Sequence, residues 1–355
     1  MKFRKLTAAA VGGMIASLSL APSAHATGDL WVEGSYEMLN LPDVQYTSTS
    51  KSESTGNFEY QETLANDEGD FDGFRFDAGI ANIPVMDGLT AGVRGFYATH
   101  QNSDAPIICG SGGLTAGSGQ CFPLPLFDPD PNTRSYPNFA VGGIQAFRTE
   151  RDVDHWGLAL DLSPQSTTGL RAGPAFRRID QDIMITGNEV SNPATGGAPD
   201  PYQFSYQEDL ETNYWGGFVG ANGAIDLGGG WSVQGDAEAG LYWANTDYLG
   251  QYAVTNSTGG GNPNISQQLS LDSDELAFIG VFKGTVEKDF GLFKLGAFGR
   301  VEYISSAPEV AYNDVERTGT TFEVIGGPHE GTTVGDRYAY SVSTGARLTV
   351  PLGGQ

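Results

Sequence analysis

After its first few dozen residues this 355-residue sequence has no uninterrupted apolar run of the length, about 18 residues, that a membrane-crossing helix requires. A mature chain of this kind can span a bilayer only as a closed barrel, which satisfies its backbone polar groups without water. Positive charge is scarce as well, with 19 Lys+Arg against 43 Asp+Glu. That balance excludes nucleic acid as a partner, because binding phosphates takes clustered cations. Histidine and cysteine are rarer still, at 4 and 2. The two cysteines therefore have no neighbours with which to complete a zinc shell. They bracket GSGGLTAGSGQ, and in an exported chain the pair Cys109 and Cys121 reads as a disulfide closing a small loop. The glycine run between them lacks the preceding strand, the following helix and the lysine of a phosphate-binding loop.

What is present begins with MKFRKLTAAAVGGMIASLSLAPSAHAT, which has a basic start, an apolar stretch and the small-x-small triplet Ala24-His25-Ala26. This is the pattern of a secretory signal peptide over residues 1–26, leaving a mature chain from Thr27 to Gln355. Without Lys2, Arg4 and Lys5 the mature chain has 16 basic residues against 43 acidic, a formal charge of −27. Fifty glycines and 11% aromatics accompany only 39% apolar residues. That profile suits a protein that puts lipid around its apolar face.

Hydrophobicity alternates with period two in ten segments, near 29–38, 71–82, 89–99, 152–162, 170–179, 212–226, 231–244, 276–287, 292–304 and 337–350. The connections after the even-numbered segments are short: NIPVMDG, SPQSTTG, the triplet Gly228 to Gly230, and KDFG. Those after the odd-numbered ones are long and rich in Asn, Asp, Gly, Pro, Ser and Thr. Such wiring predicts an all-β fold: a single up-and-down antiparallel transmembrane β-barrel of about ten strands, or twelve if a long loop hides a hairpin. It has short periplasmic turns, long extracellular loops and both termini on the turn side.

The segment WSVQGDAEAGLYW gives the height of the barrel. Trp231 and Trp243 lie 12 residues apart on one face, roughly 40 Å along a strand at about 3.3 Å per residue. A tilt of about 40° projects this to roughly 30 Å, close to the separation of the aromatic girdles that flank an outer-membrane apolar band. The tryptophans are therefore expected to face lipid. Pro174, which donates no ladder bond, predicts an irregular edge in the fifth strand. The eighth, ELAFIGVFKGTVE, is apolar on both faces.

With its AHA cleavage site, its Gly-rich strands such as YWGGFVGANGAIDL and the strand-turn-strand IDLGGGWSVQGDAEAGLYW, the chain resembles Gram-negative outer-membrane β-barrel proteins of the porin-like superfamily. It is similar, more loosely, to the Legionella-type pore-forming outer-membrane proteins. The resemblance implies a pore-forming protein of the bacterial outer membrane, in contact with lipid and lipopolysaccharide.

Turning the polar face inward places Glu33, Glu37, Asp77, Asp236, Glu238 and Glu302 in the lumen beside Arg75, Arg94, Arg171, Arg177, Lys294, Arg300, Arg337 and Arg347. Opposed rows of charge could form a constriction that passes small hydrophilic solutes or ions passively. The same charges could pair and fill a narrow lumen, leaving a structural or surface-binding, adhesin-like barrel. Acidic clusters in the loops (Asp67, Glu68, Asp70, Asp72; Asp128, Asp130; Glu150, Asp152, Asp154) read as solvated surface charge in preference to Ca²⁺ sites, since none completes a calcium loop. The mature histidines are His100, His155 and His329. Of these, His100 and His155, the latter beside Asp152 and Asp154, are expected near the outer rim, where a His-carboxylate pair could activate water. No second carboxylate pair or nucleophile elbow completes a hydrolase, so the sequence predicts no enzyme, no cofactor and no metal site.

Overall fold

The computed structural model describes residues 28–52, 58–67, 69–103, 107–108, 120–123, 144–164, 169–190, 201–256, 265–311, 315–318, 321–324 and 333–352. The signal-peptide reading over 1–26 lies outside the described residues, as does Cys109, and with it the Cys109–Cys121 pairing. Among those residues the chain forms β1 (Gly28–Asn40), β2 (Val44–Ser52), β3 (Phe58–Asp67), β4 (Asp70–Met86), β5 (Leu89–Ser103), β6 (Ile107–Ile108), β7 (Gln120–Pro123), β8 (Ile144–Pro164), β9 (Leu170–Val190) and β10 (Pro201–Gly228). They are followed by β11 (Trp231–Asn256), β12 (Ile265–Asp289), β13 (Lys294–Ala311), β14 (Val315–Thr318), β15 (Thr321–Val324) and β16 (Thr333–Leu352). Among the described residues no helix is long and apolar enough to cross a membrane.

Ten of these strands are staves. Each pairs antiparallel with the next in the order β1, β4, β5, β8, β9, β10, β11, β12, β13, β16, and β16 returns to β1 over Gly28↔Leu352 to Asn40↔Tyr340. The sheet is thus closed, and the fold is an all-β, ten-stranded, up-and-down antiparallel barrel. Its short turns fall where the glycines require them: Gly228, Gly229 and Gly230 all have positive φ, at 83°, 60° and 80°, which side chains with a Cβ resist. At Pro174 the β8–β9 ladder lapses between Ala159↔Ala175 and Leu162↔Ala172 without a change of register.

The staves are longer than the alternating segments. β10 and β11 pair continuously from Ile225↔Val233 up to Tyr202↔Asn256, far beyond the Trp215↔Trp243 pair. Their upper halves, polar on the outer face, are missed by a search for alternation because they stand above the bilayer. Below that height the outer face is apolar and exposed, with Val93, Leu158, Leu160, Leu162, Val219, Leu241, Phe282, Val286, Leu295 and Val301. Aromatic rings of Tyr36, Phe74, Trp215, Trp243, Tyr303 and Tyr340 stand exposed along its upper border. A closed barrel with a bare apolar belt needs lipid around it, which places the protein in the bacterial outer membrane.

The face carrying Trp231 and Trp243 is the outer one: both are about half exposed, at 48% and 54%. Between them Gly235 has open space where a side chain would stand, and Ala237 is exposed. The small centre of this stave is therefore presented to the outside, with no protein packed on it.

Candidate functional site: the charged lumen

Inward positions alternate with the lipid-facing ones, so consecutive staves deliver their polar side chains to one interior. The lower part is a cavity of about 400 Å³ lined by Asp29, Trp31, Asn222, Gln234, Lys294 and Arg347 toward the turns and by Arg75, Phe96, Arg177 and Glu302 at its inner end. Lys294 stands at the turn end of this cavity.

Two charge networks occupy the walls. In the first, Glu33 accepts from Lys283, from Arg300 at 3.0 Å and lies 3.3 Å from Arg347, while Asp77 pairs with Arg75 at 3.0 Å and Arg300 at 2.9 Å. Glu287 adds Arg347 at 3.4 Å and accepts from Gln234 at 2.6 Å. In the second, Arg171 reaches Asp236 at 2.7 Å and Glu238 at 3.2 Å, and Arg94 joins Glu238 and, at 3.2 Å, Asp161. Arg177 links the second network to Glu302 at 2.5 Å, and Arg75 returns to Glu302 at 3.5 Å and Glu37 at 3.2 Å. The pairs Arg94–Glu238 (β5 to β11) and Arg177–Glu302 (β9 to β13) each join staves four places apart around a ten-stave ring. They cross the lumen, and the cavity lies among these ion pairs.

Above the charges the interior becomes apolar. Leu39, Phe71, Val153, Ile179, Tyr214, Tyr242, Ala244, Ala277, Ile279, Ile304, Ala307 and Ala339 form one buried cluster, with Leu41 beside them. These residues come from β1, β4 and every stave from β8 to β16 except the short hairpin strands, at the height of the outer aromatic border. Such a disc offers water no hydrogen-bond partners across the lumen. The Tyr214 hydroxyl donates to the Ser306 carbonyl at 3.0 Å across the disc, and Arg151 covers Phe71 from above, 4.8 Å from the ring centre, while donating to Gln181 at 2.6 Å. A second cluster of Leu210, Tyr248 and Val310, packed by Leu269, Leu271 and Val334, continues upward.

Most of the inward residues named from the sequence thus meet in one network. Arg337 is the exception and a correction: it is 64% exposed at the extracellular end, where it pairs with Glu309 at 2.7 Å. Its stave continues past the membrane, so inward parity there points into the mouth. The histidines are a second correction. His100 and His155 are buried under the disc, with His100 3.4 Å from Glu37, His155 4.0 Å from Glu302, and the Phe96 ring edge-on to His155 at 4.7 Å. Neither lines the cavity. Lys283, Glu287 and Asp161 are missed by the sequence reading. The first two sit in the strand that is apolar on both faces, and only the ladder with β11 shows which face is inside. Among the described residues no group of three or more His, Cys, Asp or Glu is placed to hold a metal ion.

No family model and no curated protein matches the chain, so the resemblance to the Legionella-type proteins finds no support there. Solved structures that it resembles include outer-membrane barrels. The outer membrane protease OmpT from Escherichia coli shares 11% identity over 91% of this chain and 96% of its own, with a TM-score of 0.38. The translocator domain of autotransporter NalP from Neisseria meningitidis shares 10% over 97% and 95%, at 0.31. A Pseudomonas aeruginosa FadL homologue shares 8% over 92% and 90%, at 0.28. Because a protease stands among these barrels, the expectation that the chain is no enzyme is withdrawn. At that identity and TM-score nothing of the protease's activity passes to this chain.

Proposed function

We propose that the chain is a closed, filled outer-membrane barrel that works at its extracellular surface, as a structural or surface-binding component of the membrane. The observation that carries this reading is the apolar disc, with Tyr214, Ile179 and Val153 fully buried at its centre and crossed ion pairs beneath it. Planar-bilayer recording tests it: the purified barrel is expected to show no standing conductance, and stable unitary steps at low voltage would overturn the reading.

A second reading has one observation in its favour, the polar cavity of about 400 Å³ beneath the disc. In that reading small hydrophilic solutes or ions pass when the disc is displaced, as the porin-like resemblance implies. Conductance would then appear in bursts, not as a standing level.

A further inference from the structure

Among the described residues the barrel wall is incomplete above the outer aromatic border. β12 pairs with β11 without interruption from Trp231↔Lys288 to Val254↔Ile265, but its pairing with β13 ends at Ile279↔Ile304. Beyond that point β13 leaves the wall. Ser305 and Ser306 together occupy one step of the β16 ladder, between Ile304↔Ala339 and Ala307↔Arg337. This is a β-bulge, which bends the strand that carries it. The bent segment turns inward, so that Val310 packs with Tyr248 of β11 and Leu210 of β10, two and three staves around the ring. Pro308 suits such a position, because a residue without an N–H belongs on an edge.

Just above the last β12–β13 pair, the Phe278 amide donates to Ser305 Oγ at 2.8 Å across the seam. Successive residues of a strand turn their backbone groups to opposite sides, so this amide fixes the direction of those above it. Leu276, Asp274, Asp272, Ser270 and Gln268 all turn N–H and C=O toward the missing neighbour, with their side chains outward. Among the described residues no strand pairs with this edge.

We propose that the edge of β12 over residues 268–276 takes up an extended, cationic segment of a partner polypeptide as an added strand. Main-chain hydrogen bonds supply the affinity in strand addition and the flanking side chains select the occupant. Here the selecting side chains are carboxylates: Asp272 and Asp274 stand exposed on the edge strand, and Asp247 lies opposite Asp272 on β11. Lysine or arginine at alternate positions of the incoming strand would meet them across the seam. A second copy of this chain fits poorly, because it would bring equally acidic edges together. The chain's own β13 is held away by the burial of Val310 and by the Tyr214 bond to Ser306.

The inference rests on the reading that the barrel works at its surface, and its test is separate from conductance. The probe is a fluorescent peptide of about nine residues, alternating lysine and valine, long enough to span the edge. Its binding to the full barrel in detergent micelles is followed by anisotropy. Ser270→Pro removes a donor that faces the seam and leaves the β11 ladder intact. It is expected to weaken binding about tenfold, as are Asp272→Asn with Asp274→Asn, and N-methylation of the peptide's alternate amides. Equal binding by the N-methylated peptide and to Ser270→Pro would overturn the proposal in favour of charge adherence alone. Ready disulfide formation in Asp274→Cys with Glu309→Cys would overturn it by making β13 the occupant. A dimer lost in Ser270→Pro would overturn it in favour of a second copy. Failure to bind by a silent barrel counts against the docking edge alone, whereas binding by a conducting barrel counts against the closed-lumen reading alone.

Discussion

Glu33 shows how much of this protein depends on single inward residues. Fully buried, it faces Lys283, Arg300 and Arg347 together, so it neutralises charge that the surrounding wall cannot solvate. Glu33→Gln leaves those cations short of a partner, and breaking a buried pair in this way costs about 3–5 kcal/mol. Urea unfolding in detergent should show that loss, and a change within about 0.5 kcal/mol would mean that water reaches the network. Outside the membrane the sign of the charge problem reverses. Asp182 stands well above the aromatic border, with Asp152 and Asp209 opposite it on the neighbouring staves and Asp180 two residues along. Partial burial first, then the hydrogen bond and charge of Asp209, then Asp152 and Asp180, push its carboxyl up to about 7. A raised folded-state value means that Asp182 favours the folded barrel fully below the ordinary carboxylate range of about 4. The contribution is lost as pH rises through about 7. Asp182→Asn should therefore leave the midpoint of thermal unfolding unchanged near pH 4 and raise it at pH 8 by about 1–2 °C. A lowered midpoint at pH 8 would refute the repulsion.

At the scale of the element, the β11 stave settles which side is dry. Ala237 lies midway between Trp231 and Trp243 in sequence and is exposed on the outer face, so it is predicted at the bilayer midplane. Ala237→Arg should then cost about 2–4 kcal/mol of folding free energy in lipid vesicles, the penalty for a lipid-facing charge at that depth. A cost near zero would put the stave at another depth or in water. This stave was legible in the sequence because its two faces differ in one simple way, as were the ten staves and their short turns. Three features were not. The strand ELAFIGVFKGTVE has apolar residues on both sides, because Ala277 and Ile279 belong to the disc inside while Phe278 and Phe282 face outward. Alternation therefore could not place Lys283 or Glu287. Val153, Ile179 and Tyr214 break the polar-inside pattern from within, since they put an apolar layer at inward positions. The seam depends on a bulge at Ser305 and Ser306, and an extra residue in one strand leaves no mark on period two except a slip of phase.

The molecule as a whole separates its charge. The cavity is lined by eight cations and seven carboxylates (Arg75, Arg94, Arg171, Arg177, Lys283, Lys294, Arg300 and Arg347; Asp29, Asp77, Asp161, Asp236, Glu238, Glu287 and Glu302). The acid surplus of the chain, 43 against 19, therefore lies outside that lining, much of it on the upper staves and in the loops. If the apolar disc between this balanced cavity and the acidic exterior shuts the lumen, as proposed, a prediction follows about what opening would reveal. Tyr214→Ala with Ile179→Gly removes two fully buried members of the disc and the bond to Ser306, while touching none of the ion pairs. The variant should conduct where the parent does not. Its reversal potential should show a modest preference for cations, because the balanced lining discriminates little and the acidic mouth concentrates them. Salt at about 1 M shrinks the reach of the mouth's charge to about 3 Å, so the preference should vanish there. Conductance in the variant that favours anions at every salt concentration would mean that the arginines of the lumen, freed from their partners, set the selectivity. Silence in a folded variant would mean that the crossed ion pairs close the barrel without help from the disc.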